Sequence, residues 1–208
     1  MTLNVNGLFP GELEPDTTVG GCIEIFENVW PNPAETIKMM ENECKDADSG
    51  MNWSKATTLG AGANQDIRTN MFCPISEVAS TANNSVAQNI HNQFYILLLS
   101  STVGYSARHQ IDESLWHEDY VFLRYSGGQQ YKAHHDAGGT ASSRLISCLC
   151  YLNNDYEGGE IEFVNYNIKI KPEPGMLILF PSSFPYKHIA HPVTEGTKYN
   201  LVTWIRGD

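Results

Sequence analysis

The sequence predicts an α+β chain that is mainly β, with a jelly-roll barrel in its second half braced by helices from its first. Three observations carry this. Eight short β-rich runs crowd into about ninety residues after position 115, separated by turn residues, as in a barrel of antiparallel strands. Two stretches before them repeat apolar residues at helical spacing. No repeat, low-complexity tract or linker divides the two parts, so residues 1–208 read as one domain. Within it, 1–21 is an arm, 22–114 helical support with edge strands, and 115–208 the barrel core.

Taken in order, residues 1–21 are rich in Gly, Pro and acids and have no period. "CIEIF" alternates like a short strand. "NPAETIKMMENECK" has Pro33 near its start and Ile37, Met40 and Cys44 at helical spacing, which predicts a first helix. Residues 46–70, rich in Gly, Asn and Thr, predict loops around one short strand. "NNSVAQNIHNQFYILLL" predicts a second, buried helix: Ser85 and Gln88 have the spacing of a capping box, and Val86, Ile90, Phe94 and Leu97 or Leu98 share a face. The strands are then "DYVFLRY", "QQYKAHHD", "LISCLCYL", "GEIEFV", "NIKIK", "GMLILF", "HIAHPV" and "KYNLVTWI", broken by SGG, NND, EGG and PEPG.

Composition narrows the function. With 13 basic against 24 acidic residues and a net charge of −11, the chain repels a phosphate backbone unless basic residues gather on one face. No basic run does so, which argues against nucleic acid as a partner. The five cysteines include no CxxC pair and no even disulfide framework, and Cys148 and Cys150 share one strand face, as core residues would. The start lacks a basic n-region and an apolar h-region, and no run reaches the ~18 apolar residues of a membrane span. A soluble, cytoplasmic protein is the expectation.

"YKAHHDAGG" places two histidines beside one aspartate at 134–136. On a strand over 131–136, side chains alternate, so His134 and Asp136 face one way and His135 the other. Two such residues lie ~7 Å apart at Cα, a span that lets an imidazole nitrogen and a carboxylate oxygen converge on one metal ion. A third ligand must come from elsewhere. His91 falls in a helix, and His109 and His117 precede the barrel. His188 and His191 remain, on opposite faces of one strand, and spacing alone does not choose between them.

The run Y-x-x-H-x-D, then "YLNNDYEGGEIEF", then "PGMLILFPS", then H-x-x-x-P-V-x-x-G-x-K resembles the iron and 2-oxoglutarate dependent dioxygenases, in particular the prolyl 4-hydroxylase-like branch. The blocks occur in order over residues 115–206. The resemblance implies a double-stranded β-helix of cupin-like type, with His134, Asp136 and His188 as the catalytic ferrous-ion ligands. Two imidazoles and a carboxylate occupy one face of the ion and leave three positions open, two for 2-oxoglutarate and one for dioxygen. These ligands also suit zinc or manganese, so iron comes from the resemblance. In related halogenases a small residue opens a halide site where Asp136 stands, so this sequence points to hydroxylation.

The resemblance further implies that Lys198 meets the C5 carboxylate of 2-oxoglutarate, since a buried ammonium facing the barrel is expensive unless an anion joins it. Tyr151 would donate to the same carboxylate, and Tyr125 would touch the cosubstrate near the metal. Arg144, Trp204 and Tyr131 are the candidate substrate contacts. "AGGTASSR" after Asp136 suits a lid. Ile161 departs from the family's G-G-E-T, which removes any contact that threonine makes.

The implied reaction hydroxylates a C–H bond while 2-oxoglutarate is decarboxylated to succinate and carbon dioxide, with ascorbate as an added reductant and a prolyl residue of a protein or peptide as the leading substrate. Other readings are a hydroxylase of a free amino acid or other small molecule, which needs a closed pocket instead of a groove, and a demethylase of alkylated nucleic acid, disfavoured by acidity. A noncatalytic jelly-roll binding module is opposed by the intact ligand trio and Lys198.

Overall fold

The computed structural model describes residues 11–46, 48–56, 66–81 and 84–208. Most of the expected arm and the loop residues 57–65 lie outside the described residues. The first half runs β1 (Thr17–Val19), β2 (Ile23–Phe26), α1 (Pro33–Glu43), β3 (Ser54–Lys55), β4 (Met71–Pro74), α2 (Ile75–Thr81) and α3 (Ser85–Arg108). The second half runs β5 (Leu115–His117), β6 (Val121–Ser126), β7 (Tyr131–His134), β8 (Arg144–Tyr151), β9 (Glu157–Gly158) and β10 (Ile161–Phe163). It continues with β11 (Ile168–Ile170), β12 (Leu177–Pro181), β13 (His188–Ala190), β14 (Val193–Glu195) and β15 (Thr197–Gly207). The chain is thus mainly β, with few helices, and every strand pairing is antiparallel.

One large sheet has the order β1-β2-β12-β8-β15-β6-β4-β3, with β5 also pairing β15. A smaller sheet has the order β11-β10-β13-β7, and β14 pairs β9. The large sheet is buried on both faces. Leu177 and Leu179 of β12 and Cys148 and Cys150 of β8 join Trp30, Met40, Ile90, Phe94 and Leu98 in a cluster under the helices. Ile178 and Phe180 of β12, with Ile23 and Ile25 of β2 and Tyr151 of β8, pack against Ile161 and Phe163 of the smaller sheet. This double burial explains why β2 is buried at all four positions, where a half-exposed alternating strand was expected.

The helices differ from expectation at their ends. The cap of α3 is Asn84, whose side chain accepts from the Ala87 N–H at 2.9 Å, so Ser85 is the first helical residue and not a capping-box cap. The helix also continues past its leucines to Arg108. Ser100, Ser101, Thr102 and Ser106 turn their hydroxyls onto carbonyls four residues back, which keeps these polar side chains from competing with the helical backbone. β1, β4 and α2 occupy stretches for which no element was expected. No helix among the described residues is long and apolar enough to cross a membrane.

Candidate metal and cosubstrate site

The site starts from two facing strands. β7 and β13 are antiparallel, and their register sets His134 directly opposite His188. Each ring is turned by a local bond: Nδ1 of His134 lies 2.7 Å from the Lys132 carbonyl and Nδ1 of His188 3.1 Å from the Tyr186 carbonyl. A carbonyl only accepts, so each Nδ1 carries the proton and each Nε2 presents a lone pair to the space between the strands.

Asp136 arrives by another route. The expected strand over 131–136 ends at His134, and Asp136 sits in a bend beyond it. Strand alternation therefore does not orient its side chain; two distant strands do. The Asp136 and Ala137 N–H groups donate to the Ser182 carbonyl at 3.0 and 2.9 Å. The Ser147 hydroxyl on β8 donates to Asp136 Oδ2 at 2.6 Å and meets the Ser182 hydroxyl at 2.9 Å.

The result is compact. His134 Nε2 is 3.5 Å from Asp136 Oδ1, His188 Nε2 is 3.8 Å from Asp136 Oδ2, and one ligand atom from each of the three residues lies within 4.8 Å of the others. Two nitrogens and one oxygen at this spacing fit a divalent ion of the ferrous, zinc or manganese kind. Protonation states agree with that use. Burial raises the Asp136 carboxyl, but the neighbouring His188 and His134 rings and the Ser147 hydroxyl outweigh it and hold it well below the usual carboxylate range. Burial and the neighbouring His134 push His188 down to about 4. At neutral pH the carboxylate is charged and His188 is not, as metal ligation requires.

The remaining histidines stay apart. His135 is exposed, and His191 lies past the end of β13 with Nε2 2.6 Å from Glu162. His117 packs against Tyr120 and Tyr95, while His109 contacts buried Glu24.

A cavity opens from the trio toward Lys198, lined also by Tyr125, Tyr151, Ile161, Asn200 and Trp204. Lys198 is 1% exposed. Its ammonium donates to the Gly159 carbonyl at 2.7 Å and lies 4.7 Å from the Tyr125 ring centre and 5.8 Å from that of Tyr151. No carboxylate among the described residues pairs with it, and burial, with Lys171 nearby, lowers its pKa to about 7. Burial pushes Tyr125 up to about 12 and Tyr151 well above its ordinary value, so both keep their phenolic protons.

Of the expected substrate residues, Tyr131 and Trp204 line this cavity, and all three also have protein neighbours. Arg144 is buried and grips Glu118 through two bonds of 2.6 and 2.5 Å, donates to the Asp136 carbonyl at 3.3 Å and lies 3.6 Å from the Trp204 ring centre. Its ion pair with Glu118 is largely buried. Tyr131 stacks on His134, with ring centres 3.4 Å apart. Trp204 keeps its indole N–H buried without a partner. The segment expected as a lid folds into a short 3-10 turn, Gly139–Ala141, that buries Ala141. Sequence reasoning passed over Ser147, Ser182, Glu118 and Asn200. Two carried a legible signal: Ser147 is a lone hydroxyl on the inward face of an apolar strand, and Asn200 shares a strand face with Lys198.

Residues 120–206 match the family model of the 2OG-Fe(II) oxygenase superfamily. The chain is 34% identical over 117 residues to probable prolyl 4-hydroxylase 9 of Arabidopsis thaliana, covering 43% of this chain and 41% of that protein. It spans under half the length of the curated relatives it matches. Among solved structures it resembles a prolyl hydroxylase from Trichoplax adhaerens, in complex with a peptide of the hypoxia inducible factor oxygen degradation domain, with TM-score 0.72 and 18% identity over 90% of this chain and 84% of that one. It also resembles the viral collagen prolyl hydroxylase of Paramecium Bursaria Chlorella virus-1 in complex with 2OG, with TM-score 0.57 and 22% identity over 91% of this chain and 98% of that one. At these identities the solved structures speak for the fold.

Proposed function

We propose that the protein is a 2-oxoglutarate-dependent dioxygenase of the 2OG-Fe(II) oxygenase superfamily that hydroxylates a prolyl residue of a peptide or protein; the match of residues 120–206 to that family model and the similarity to prolyl 4-hydroxylases support this reading. The two sheets are then the halves of a double-stranded β-helix of jelly-roll type, with α1 and α3 bracing its outer face. The observation that carries the proposal is the convergence of His134, Asp136 and His188 at one end of a cavity that also holds a buried ammonium without an anion.

Ferrous iron, with 2-oxoglutarate and dioxygen, supplies C–H hydroxylation coupled to release of succinate and carbon dioxide. The chain supplies the setting. His134 and His188 offer neutral Nε2 atoms whose direction is fixed by the Lys132 and Tyr186 carbonyls. Asp136 offers a charged oxygen while Ser147 holds the other. Lys198 receives the distal carboxylate of the cosubstrate, with the Tyr151 and Tyr125 hydroxyls as neutral donors. Leu123, Leu149, Ile161 and Val202 line the space between and keep water from the reacting centre. Ascorbate would serve as an added reductant, and the site of action would be cytoplasmic.

The test combines binding with product analysis. Anaerobic addition of ferrous ion and 2-oxoglutarate to the folded protein is expected to give a weak visible charge-transfer band. A panel of proline-containing peptides is expected to gain one oxygen atom by mass spectrometry, with one succinate formed per addition. A folded sample with no band refutes the cosubstrate reading. A band with no oxidised peptide, but with an oxidised free amino acid, moves the substrate to small molecules.

A further inference from the structure

Every second residue of β15 from Lys198 to Trp204 faces the cavity: Lys198, Asn200, Val202 and Trp204. Asn200 is anomalous there. It is 3% exposed and stands opposite Leu123 of β6 and Tyr151 of β8, yet its Oδ1 has no hydrogen-bond partner. A buried polar atom left unpaired costs about 1–3 kcal/mol, and a valine would fill the same strand position without that cost. Two residues away on the same face, the buried Lys198 ammonium has a carbonyl partner, Gly159, but no paired carboxylate among the described residues. Two adjacent groups on one wall are therefore left over by the fold: an ammonium without a carboxylate, and a carboxamide whose oxygen no donor among the described residues holds in place.

A carboxamide presents either its oxygen or its NH2 after a half-turn about χ2, so the group that offers Oδ1 in the ligand-free protein can offer N–H to an anion. Resting on the 2-oxoglutarate reading above, we propose that Asn200 is a cosubstrate-binding residue, the second anchor of the terminal carboxylate. Its amide N–H donates to one carboxylate oxygen while Lys198 meets the other, so that the carboxylate orients a side chain the fold leaves unheld. The pair selects a dicarboxylic 2-oxoacid, because a monocarboxylic one leaves both groups unpaired.

Asn200→Val is the test, with manganese in place of iron and no turnover. Calorimetric affinity for 2-oxoglutarate is expected to fall about tenfold or more, the worth of one hydrogen bond to a charged group. The thermal midpoint of the ligand-free variant is expected to hold or rise, and manganese affinity without 2-oxoglutarate to stay as in the parent protein. Asn200→Asp places a carboxylate beside Lys198 and is expected to abolish 2-oxoglutarate binding by neutralising the ammonium internally. Unchanged 2-oxoglutarate affinity in Asn200→Val overturns the inference. So does a lower thermal midpoint with manganese affinity reduced in parallel, which marks a packing role. If Asn200→Val does not fold, Asn200→Ala is read against the same outcomes. Failure of the unmutated protein to bind 2-oxoglutarate overturns the underlying reading instead, and is distinguished by being visible before any substitution is made.

Discussion

Replacing Lys198 by methionine is expected to make the ligand-free protein more stable, and the gain to depend on pH. The ammonium is buried with no anion beside it; Lys171 adds repulsion and Glu160 only partly offsets it. Its pKa falls from 10.5 to about 7. At about 1.4 kcal/mol per pH unit, holding the charged form there costs about 5 kcal/mol below pH 7. Methionine has nearly the same length without the charge, and such exchanges of buried charge for apolar volume return about 1–4 kcal/mol. For a chain of this size that corresponds to a midpoint raised by roughly 2–16 °C. The sign with pH follows from the direction of the shift. The folded pKa lies below the unfolded one, so between about 7 and 10.5 the unfolded chain holds more protons and the parent protein gains stability as pH rises. The advantage of Lys198→Met is thus largest at pH 6 and nearly gone by pH 10. Thermal melts of both proteins at pH 6, 7.5 and 9 check this, because groups common to both cancel in the difference. A variant less stable than the parent at pH 6, or a difference flat with pH, refutes the reasoning. Added 2-oxoglutarate is expected to raise the parent midpoint at pH 6 and leave the variant unmoved.

Alanine at His134, Asp136 or His188 is expected to remove stoichiometric binding of manganese, read by electron paramagnetic resonance, whereas His135→Ala and His191→Ala retain it. Ser147→Ala frees Asp136 Oδ2 and is expected to weaken manganese binding about 10–100-fold with little change in fold, measured by calorimetry beside circular dichroism. Glu118→Gln leaves Arg144 and Arg206 without their shared anion and is expected to cost about 3 kcal/mol in urea unfolding. An unchanged midpoint there shows that solvent already screens this cluster.

The strands of the second half were legible because turn residues punctuate them and their apolar runs are short. The layering was harder. β2, β8 and β12 are covered on both faces, so their sequences carry no period-two signal to say which residues look inward and which lie under the helices. The tail of α3 was hidden because its serines and threonines read as a loop until their hydroxyls are seen bonded to the preceding turn. Spacing left His188 and His191 undecided on the premise that both lie on one strand. The strand stops at Ala190, so parity does not apply to His191, which reaches Glu162 from outside it. Asn200 was missed because its shared strand face with Lys198, though legible, says where the residue stands and not that its oxygen is left without a partner among the described residues.

The two kinds of ligand are encoded differently, and this bears on where the site is vulnerable. Both histidines use one local device, a ring proton returned to the carbonyl two residues earlier, so a stretch of three residues on each strand fixes tautomer and direction. Pairing β7 with β13 then needs only the correct register to set the two lone pairs face to face. Asp136 has no such local support. Its backbone hangs from the Ser182 carbonyl and its carboxylate from the Ser147 hydroxyl, while Ser182 is itself held by the Leu145 carbonyl. The negative charge of the trio is therefore placed by the contact between β8 and β12, strands that contribute no ligand. Disturbance of that contact reaches the carboxylate first and leaves the histidines paired. The same sheet continues through β15, where Lys198 and Asn200 stand, so the support of Asp136 and these two residues belong to one sheet.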